Sequence, residues 1–543
     1  MSQDYDAIVI GAGHNGLTNA AYLAKAGLKV VVLEKNDYIG GAAVSRELHK
    51  GWIYSNCSYV CSLLRQSIHR DLELAKHGLL IVPYGGTISF ASDGNYISAY
   101  PCDSLNYKEI ARHSIRDAAA YHRYETDLMR YAKLIRHFLM RTPADPSSLK
   151  PRDIKELIHM GSKFAELGEE QIYEIMRFLT MSAADFLDEY FENDLVKASF
   201  AQASIIGTAL GVYSPGTAYV LLHHVMGDVD GAVGAWGLAR GGMGAISAAL
   251  ANALEELGGE IKTNSAVQQI LISNNKTQGV LLDNGEVLNA KIVVSNLDPK
   301  RTFTQIMAKE DIPDDLYNKA KNYKIRGSSG KLNIALTGMP VFCGLPANHW
   351  LTKGSFGFVD SLENMERAYD DWKNKRFSKR PYIEMTQSSC WDPTIAAPGH
   401  YFVSCFTQYC PADIEGGWTT DKRAAFAESV LDRIEENCPN FRSLIAHMEV
   451  RTPFEIENEV GLTEGNIFQG ELTLDQLMFN RPFPGYAQYR GPAKGMYMSG
   501  SGSHPGGGVS SACGANSARE ILMDLNRLNK NGKPLVPEDD DDE

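Results

Sequence analysis

The chain has 543 residues, of which 22% are charged and 44% hydrophobic, the balance of a globular enzyme long enough for two or three interleaved cores. A net charge of −13 disfavours nucleic acid as a partner. Nine cysteines, an odd number with no Cys-x-x-Cys, fit free thiols in a reducing compartment rather than a disulfide scaffold.

Residues 6–10 (Asp-Ala-Ile-Val-Ile) predict a short buried strand. It runs into Gly11-Ala12-Gly13-His14-Asn15-Gly16, then an amphipathic run to Ala26, then an apolar strand from Lys29 to Leu33 that ends at Glu34. This is a βαβ unit with Gly-x-Gly-x-x-Gly at its turn. Gly11 permits the turn, Gly13 lets backbone approach a pyrophosphate, and Gly16 lets helix and strand pack closely. The helix start offers free N–H groups to phosphate. Glu34 lies 21 residues after Gly13, where a carboxylate accepts a ribose hydroxyl, with Lys35 beside it. No basic and apolar leader precedes the first strand, so a cytoplasmic location is expected. No apolar stretch is clean enough to span a bilayer, so membrane contact is expected to be peripheral at most.

Farther along, Cys57 and Cys61 have three residues between them, and two buried thiols are a better reading than a redox pair. Residues 79–100 predict short strands. Residues 107–141 and 151–200 predict helices whose Met- and aromatic-rich faces belong to a core or to a pliable wall around a long apolar ligand. Residues 200–226 are apolar, rich in small residues and broken at Tyr213–Gly216. His223 and His224 there point about 100° apart on a helix, so they do not share a metal ion, and no metal site is expected. A glycine-rich connector from Gly231 carries Trp236 and Gly241-Gly242-Met243-Gly244 into a helix. Strands follow at 260–263, 266–273, 279–282 and 291–294, with a hairpin at 283–286. Lys331 opens a strand to Leu336 and reads as a solvated strand end. Near the C-terminus, a strand at 495–499 feeds Gly500-Ser501-Gly502-Ser503-His504-Pro505-Gly506-Gly507-Gly508-Val509 and a helix over 510–528. Six acidic residues, Glu538 to Glu543, predict a disordered end from 531.

Several of these motifs carry a resemblance. Gly40-Gly41-Ala42-Ala43 after Glu34, Leu221 to Gly227, Gly234-Ala235-Trp236-Gly237, Gly241 to Gly244 and His504 to Val509 together resemble the phytoene-dehydrogenase-related flavoproteins. The nearest branch is that of the pyridine nucleotide-disulfide oxidoreductase domain-containing proteins. The resemblance implies FAD and an α/β fold. A Rossmann-like FAD-binding domain of the amine oxidase and phytoene desaturase type would be built from 1–80, 230–300 and 455–530. A mixed α+β substrate or lid domain would come from 81–229 and 301–454. It implies that Gly40 and Gly41 fold over the cofactor, with Ala42 where many members have arginine. Val267 would meet the adenine, Ser295 would close the nucleotide site, and Gly500, Ser501, Gly508 and Val509 would face the flavin's pyrimidine end. Amine oxidases also place a lysine near the flavin, the role open to Lys331.

The implied activity is hydride removal from a lipophilic polyene or isoprenoid substrate, by desaturation or isomerisation, with oxygen or a quinone as electron acceptor. Amine oxidation is an alternative, separated by its products. A structural FAD in a binding or assembly partner is another, separated by whether substrate reduces the flavin. The branch name speaks of a disulfide and a pyridine nucleotide, but the chain has neither a suitable cysteine pair nor a second Gly-x-Gly-x-x-Gly unit. Three segments, 200–226, 231–244 and 486–509, are expected to converge on the substrate. His504 is the leading catalytic candidate, with His223 and Trp236 on the opposite wall. The resembled eukaryotic branch makes the mitochondrial matrix a second location, and an oligomer is compatible with the sequence.

Overall fold

A computed structural model describes residues 4–345, 349–529 and 532–538. The first layer grows from the N-terminal strand β1 (Tyr5–Ile10), helix α1 (His14–Lys25) and strand β2 (Val30–Leu33). β1 pairs in parallel with β2 on one side and with Val287–Ser295 on the other. Glu260–Lys262 extends the sheet beyond β2. The nine-residue strand Val287–Ser295 has two partners along its far edge. Its first half pairs with Lys276–Leu282 and its last three residues with Met496–Met498. Sequence segments hundreds of residues apart thus end side by side, at Ile10, Leu33, Ser295 and Met498.

Alternation explains why these strands are apolar throughout. Ala7, Val9, Val30 and Val32 pack under α1 and the helices Gly244–Glu256 and Ala512–Asp524. Ile8, Ile10, Val31 and Leu33 pack on the other face, against Phe303, Leu316 and Ala320. A parallel sheet covered on both faces leaves no strand position for a polar residue. Each fully buried aliphatic side chain contributes about 1.5–3 kcal/mol.

The second sheet has seven strands, in the order Ile445–Arg451, Ser329–Leu336, Tyr401–Gln408, Tyr382–Thr386, Ser355–Phe358, Thr87–Phe90 and Tyr96–Ala99. Its pairs are antiparallel except Ser355–Phe358 with Thr87–Phe90. A helical layer packs beside it. The helix expected over 107–141 is two helices, Asp103–Ala111 and Ile115–Leu139, because the Ser114 side chain accepts from Asp117 N–H and starts a new one. The run expected over 151–200 is four helices, interrupted at Gly168, at the Ser182 cap and at the Asn193 cap.

The terminal segment corrects an expectation. Residues 532–538 lie on the body. Val536 is buried, Arg519 donates to the carbonyls of Val536 and Pro537, and Arg141 pairs with Glu538 at 3.0 Å. A buried arginine seeking acceptors is what draws this stretch back. The acidic residues after Glu538 lie outside the described residues. Among the described residues no helix is long and apolar enough to cross a membrane.

Candidate functional site

The carboxyl ends of the parallel strands open onto an elongated cavity of about 340 Å³. The first glycine turn, Glu34 and Lys35 line one end, and Ser501, Gly508 and Val509 line another part. Gly16 has no room for a side chain. A Cβ on Gly16 would stand 2.2 Å from the Gly11 carbonyl oxygen, and one on Gly41 would stand 3.4 Å from the Cα of Gly13. Gly40 is bridged to Gly13 and donates to the Ala12 carbonyl at 2.9 Å, so the second glycine pair lies against the first. α1 has no acidic residue in its first turn, and the positive end of its dipole faces the cavity.

Glu34 is held at the end of β2 by two backbone donors, Ala12 N–H at 2.9 Å and Asn36 N–H at 3.0 Å. A carboxylate so fixed keeps lone pairs for a ligand hydroxyl. Replacing Glu34 by alanine is expected to weaken FAD binding about ten- to a hundredfold, the worth of one charge-assisted hydrogen bond. Titration of the apoprotein with FAD measures this, and unchanged affinity would remove Glu34 from the site.

Of the other expected cofactor residues, Gly11, Gly13, His14, Asn15, Ala42 and Val267 line this cavity. Asn15 donates to the Ser501 hydroxyl at 3.1 Å and so joins the first glycine turn to the last. His14 is pushed down to about 4 by burial, so it is neutral, and its Nε2 has no hydrogen-bond partner among the described residues. Gly16, Gly40, Ser295 and Gly500 stand behind the wall. Ser295 bonds Thr302 at 2.8 Å instead, and its neighbour Asn296 does the lining.

Two lining residues were not foreseen in the cofactor role. Arg301 supplies a cation near Lys35 and Gly461, 3.8 Å from Asp298 and 3.5 Å from Glu457, and its Nε has no hydrogen-bond partner among the described residues. Lys35 is lowered by burial first and by Arg301 second. Gln305 lies one turn beyond Arg301. These residues, the glycine cradle and the N-terminus of α1 fit a dinucleotide carrying a pyrophosphate.

Lys331 corrects a second expectation. It is 2% exposed, lines the cavity and donates to the Ser55 carbonyl at 2.6 Å. Burial holds its amine down at about 7. Its strand is buried because Tyr401–Gln408 and Ile445–Arg451 flank it on both sides.

A second cavity of about 440 Å³ adjoins the first. Ser58, Tyr59, Ile467, Phe468, Gly508 and Val509 line both. The segments 200–226, 231–244 and 486–509 each contribute to the second cavity, through Phe200 and His224, through Trp236, and through Val509. Trp236 and His224 stack at 6.1 Å. His224 rather than His223 faces this space. Its Nδ1 contacts the Val220 carbonyl at 2.8 Å, and burial holds it neutral, at about 4. His223 sits behind Gly508 and Phe468, lines neither cavity and is pushed by burial to about 3.

His504 also lines neither cavity. Its Nε2 contacts the Phe138 carbonyl at 2.8 Å and its own carbonyl accepts from Tyr489, so its ring is turned away to anchor the loop to the helical layer. The loop is instead organised by Arg481, which is fully buried and donates to the carbonyls of Ser501, Ser503, Glu471, Gln476 and Phe468. No periodicity in the sequence marks Arg481.

The thiols are divided between the two spaces. Cys57 lines the first cavity and Cys61 the second. Burial raises both, Cys61 to about 12, so neither is a thiolate near neutrality. Among the described residues no group of His, Cys, Asp and Glu is arranged to hold a metal ion.

A two-sheet α/β fold with a dinucleotide cradle and an adjoining cavity defines a flavin-dependent oxidoreductase architecture. The chain belongs to the flavin containing amine oxidoreductase family, whose model matches residues 16–329. It is 36% identical to pyridine nucleotide-disulfide oxidoreductase domain-containing protein 2 of Rattus norvegicus, over 97% of this chain and 95% of that one. It is 24% identical to a limonene dehydrogenase subunit of Castellaniella defragrans, over 96% of this chain and 95% of that one. An oxidoreductase from Methanosarcina mazei shares the fold with a TM-score of 0.59 at 17% identity, over 95% of this chain and 99% of that one. The cofactor is FAD.

Proposed function

We propose that the chain dehydrogenates or isomerises a lipophilic, polyene or isoprenoid substrate held in the second cavity, with oxygen or a quinone as the final electron acceptor. The observation that carries this is the character of that cavity. Its walls are mainly aromatic and aliphatic, with uncharged hydroxyls and amides between them and Glu384 as the acid, and among the described residues no lysine, arginine or aspartate lines it. An apolar chamber that shares a wall with the cofactor cavity selects a ligand by burying apolar surface. The likeness to the limonene dehydrogenase of Castellaniella defragrans points the same way.

Bound FAD supplies the two-electron acceptor. The chain's own residues do the rest. The glycine cradle, Glu34 and Arg301 hold the cofactor at its nucleotide end. Tyr59, Phe468 and Val509 form the boundary between the two spaces and keep water from it. Lys331 changes charge near neutrality, so it is able to hold or release a proton beside the cofactor.

Anaerobic stopped-flow mixing of the holoprotein with limonene and with acyclic polyenes tests the reading. The expected result is bleaching of the flavin by a lipophile and none by putrescine. Reduction by short amines alone would replace it with amine oxidation. A second measurement concerns the thiols. Mixing with NADPH is expected to leave the flavin oxidised, because Cys57 and Cys61 face different cavities as buried thiols. Rapid bleaching that disappears in Cys57→Ser would overturn that expectation.

A further inference from the structure

One acid breaks the pattern of the second cavity. Glu384 is the carboxyl among its lining residues, on the strand Tyr382–Thr386. Its Oε2 accepts from the Tyr59 hydroxyl at 2.6 Å. Its Oε1 has only the Ser355 hydroxyl at 3.5 Å, the outer limit of a hydrogen bond. Four more phenols, Tyr84, Tyr121, Tyr124 and Tyr382, line the same space. No cation pairs with Glu384 among the described residues. Lys331 lies on the other side of Tyr59, with its amine 5.5 Å from the ring centroid and its bond given to Ser55.

A buried carboxyl on a mainly apolar cavity wall is costly unless it is neutral, paired or hydrogen-bonded by a ligand. Burial raises the Glu384 carboxyl towards its neutral form. The other polar groups around it are uncharged: hydroxyls, the Asn106 and Gln202 amides, and neutral His224. A charged head would enter a space with no opposite charge but this one. An uncharged oxygen would meet both a donor and an acceptor.

We propose that the Glu384–Tyr59 pair is the recognition site for a single uncharged oxygen function, a hydroxyl in the first instance, on an otherwise apolar ligand. The preferred substrate is then an alcohol of the lipid or isoprenoid type, over the matching bare hydrocarbon, amine or fatty acid. This rests on the lipophilic-substrate reading above. Glu384 takes the place of a specificity residue, and Tyr59, which lines both cavities, ties the ligand's polar end to the boundary with the cofactor.

The test titrates the holoprotein with decane, decanol, decylamine and decanoate, following the perturbation of flavin absorbance. Wild type is compared with Glu384→Leu, Glu384→Gln and Tyr59→Phe, each checked for full FAD content. The decanol-to-decane affinity ratio is expected to fall about tenfold in Glu384→Leu, the effect of one buried hydrogen bond. It is expected to survive largely in Glu384→Gln, which keeps a neutral donor and acceptor, and to fall severalfold in Tyr59→Phe. Referring each variant to decane cancels changes in the apolar part of the cavity. An unchanged ratio in Glu384→Leu and Tyr59→Phe would overturn the inference while leaving the lipophilic cavity in place. A decylamine preference abolished by Glu384→Gln would overturn it in favour of a cation site. Failure of all four probes to perturb the flavin would remove the lipophilic reading together with this one.

Discussion

Replacing Lys331 by methionine is expected to remove a pH dependence of stability worth several kcal/mol. The folded chain holds this amine at about 7, because burial takes the ammonium form out of water. In the unfolded chain the same amine titrates near ~10.4. Between those values the unfolded chain binds more protons than the folded one, so stability climbs as pH rises through that window. Below about pH 7 the folded chain carries a buried ammonium and the full penalty, about 5 kcal/mol at ~1.36 kcal/mol per pH unit. Above about pH 10 the penalty is gone. Methionine has similar length and no charge. Its loss of the bond to Ser55 shifts absolute stability but not the slope. Urea unfolding of both proteins across this range measures the difference. Parallel curves for the two would show that Lys331 does not titrate as a buried amine.

Replacing Gly16 by alanine is expected to cost at least about a hundredfold in FAD affinity. The added Cβ would lie 2.2 Å from the Gly11 carbonyl oxygen and 2.9 Å from the Asn296 amide nitrogen. That amide already donates to the same carbonyl at 3.2 Å. The nearest obstacle is backbone, so no side chain is free to rotate away. The turn itself must shift, and with it the N–H groups that meet the pyrophosphate. Overpacking of this kind costs about 3 kcal/mol, which is the hundredfold. Gly161→Ala is the control. Its Cβ meets open space in the helix Pro151–Ala165, so FAD binding should stay as it was and stability should rise by up to about 1 kcal/mol. Equal affinities in the Gly16 variant and wild type would show that the turn is not the cofactor's cradle.

The nucleotide half of the fold was legible because its signals are local. A strand, a glycine turn, a helix and an acid occupy consecutive residues, and each glycine has a reason within a few positions of itself. The second cavity was not legible, for the opposite reason. Tyr59 and Glu384 meet across 325 residues. One local sign was available. In Tyr382-Ile383-Glu384-Met385, Ile383 and Met385 belong to a core cluster while Tyr382 and Glu384 face the cavity, a strand alternation with an acid on a face otherwise expected to be inert. His504 was over-read because its place beside the glycine loop is local, whereas the contact that turns its ring, with the Phe138 carbonyl, spans 366 residues. Lys331 was under-read because a strand's first residue is ordinarily open to water, and only the pairing of its two neighbours closes it in.

Arg481 gives the site a mechanical property. Its guanidinium accepts nothing and donates to carbonyls on both the cofactor loop, at Ser501 and Ser503, and the cavity-wall segment, at Phe468 and Glu471. A planar, permanently charged group with several donors in fixed directions acts as a rivet. Phe468, which forms part of the boundary between the two spaces, is therefore fastened to the loop that borders the cofactor. Phe468 also packs directly on Gly507 of that loop, so a ligand pressing on the aromatic wall presses on the cofactor's bed as well.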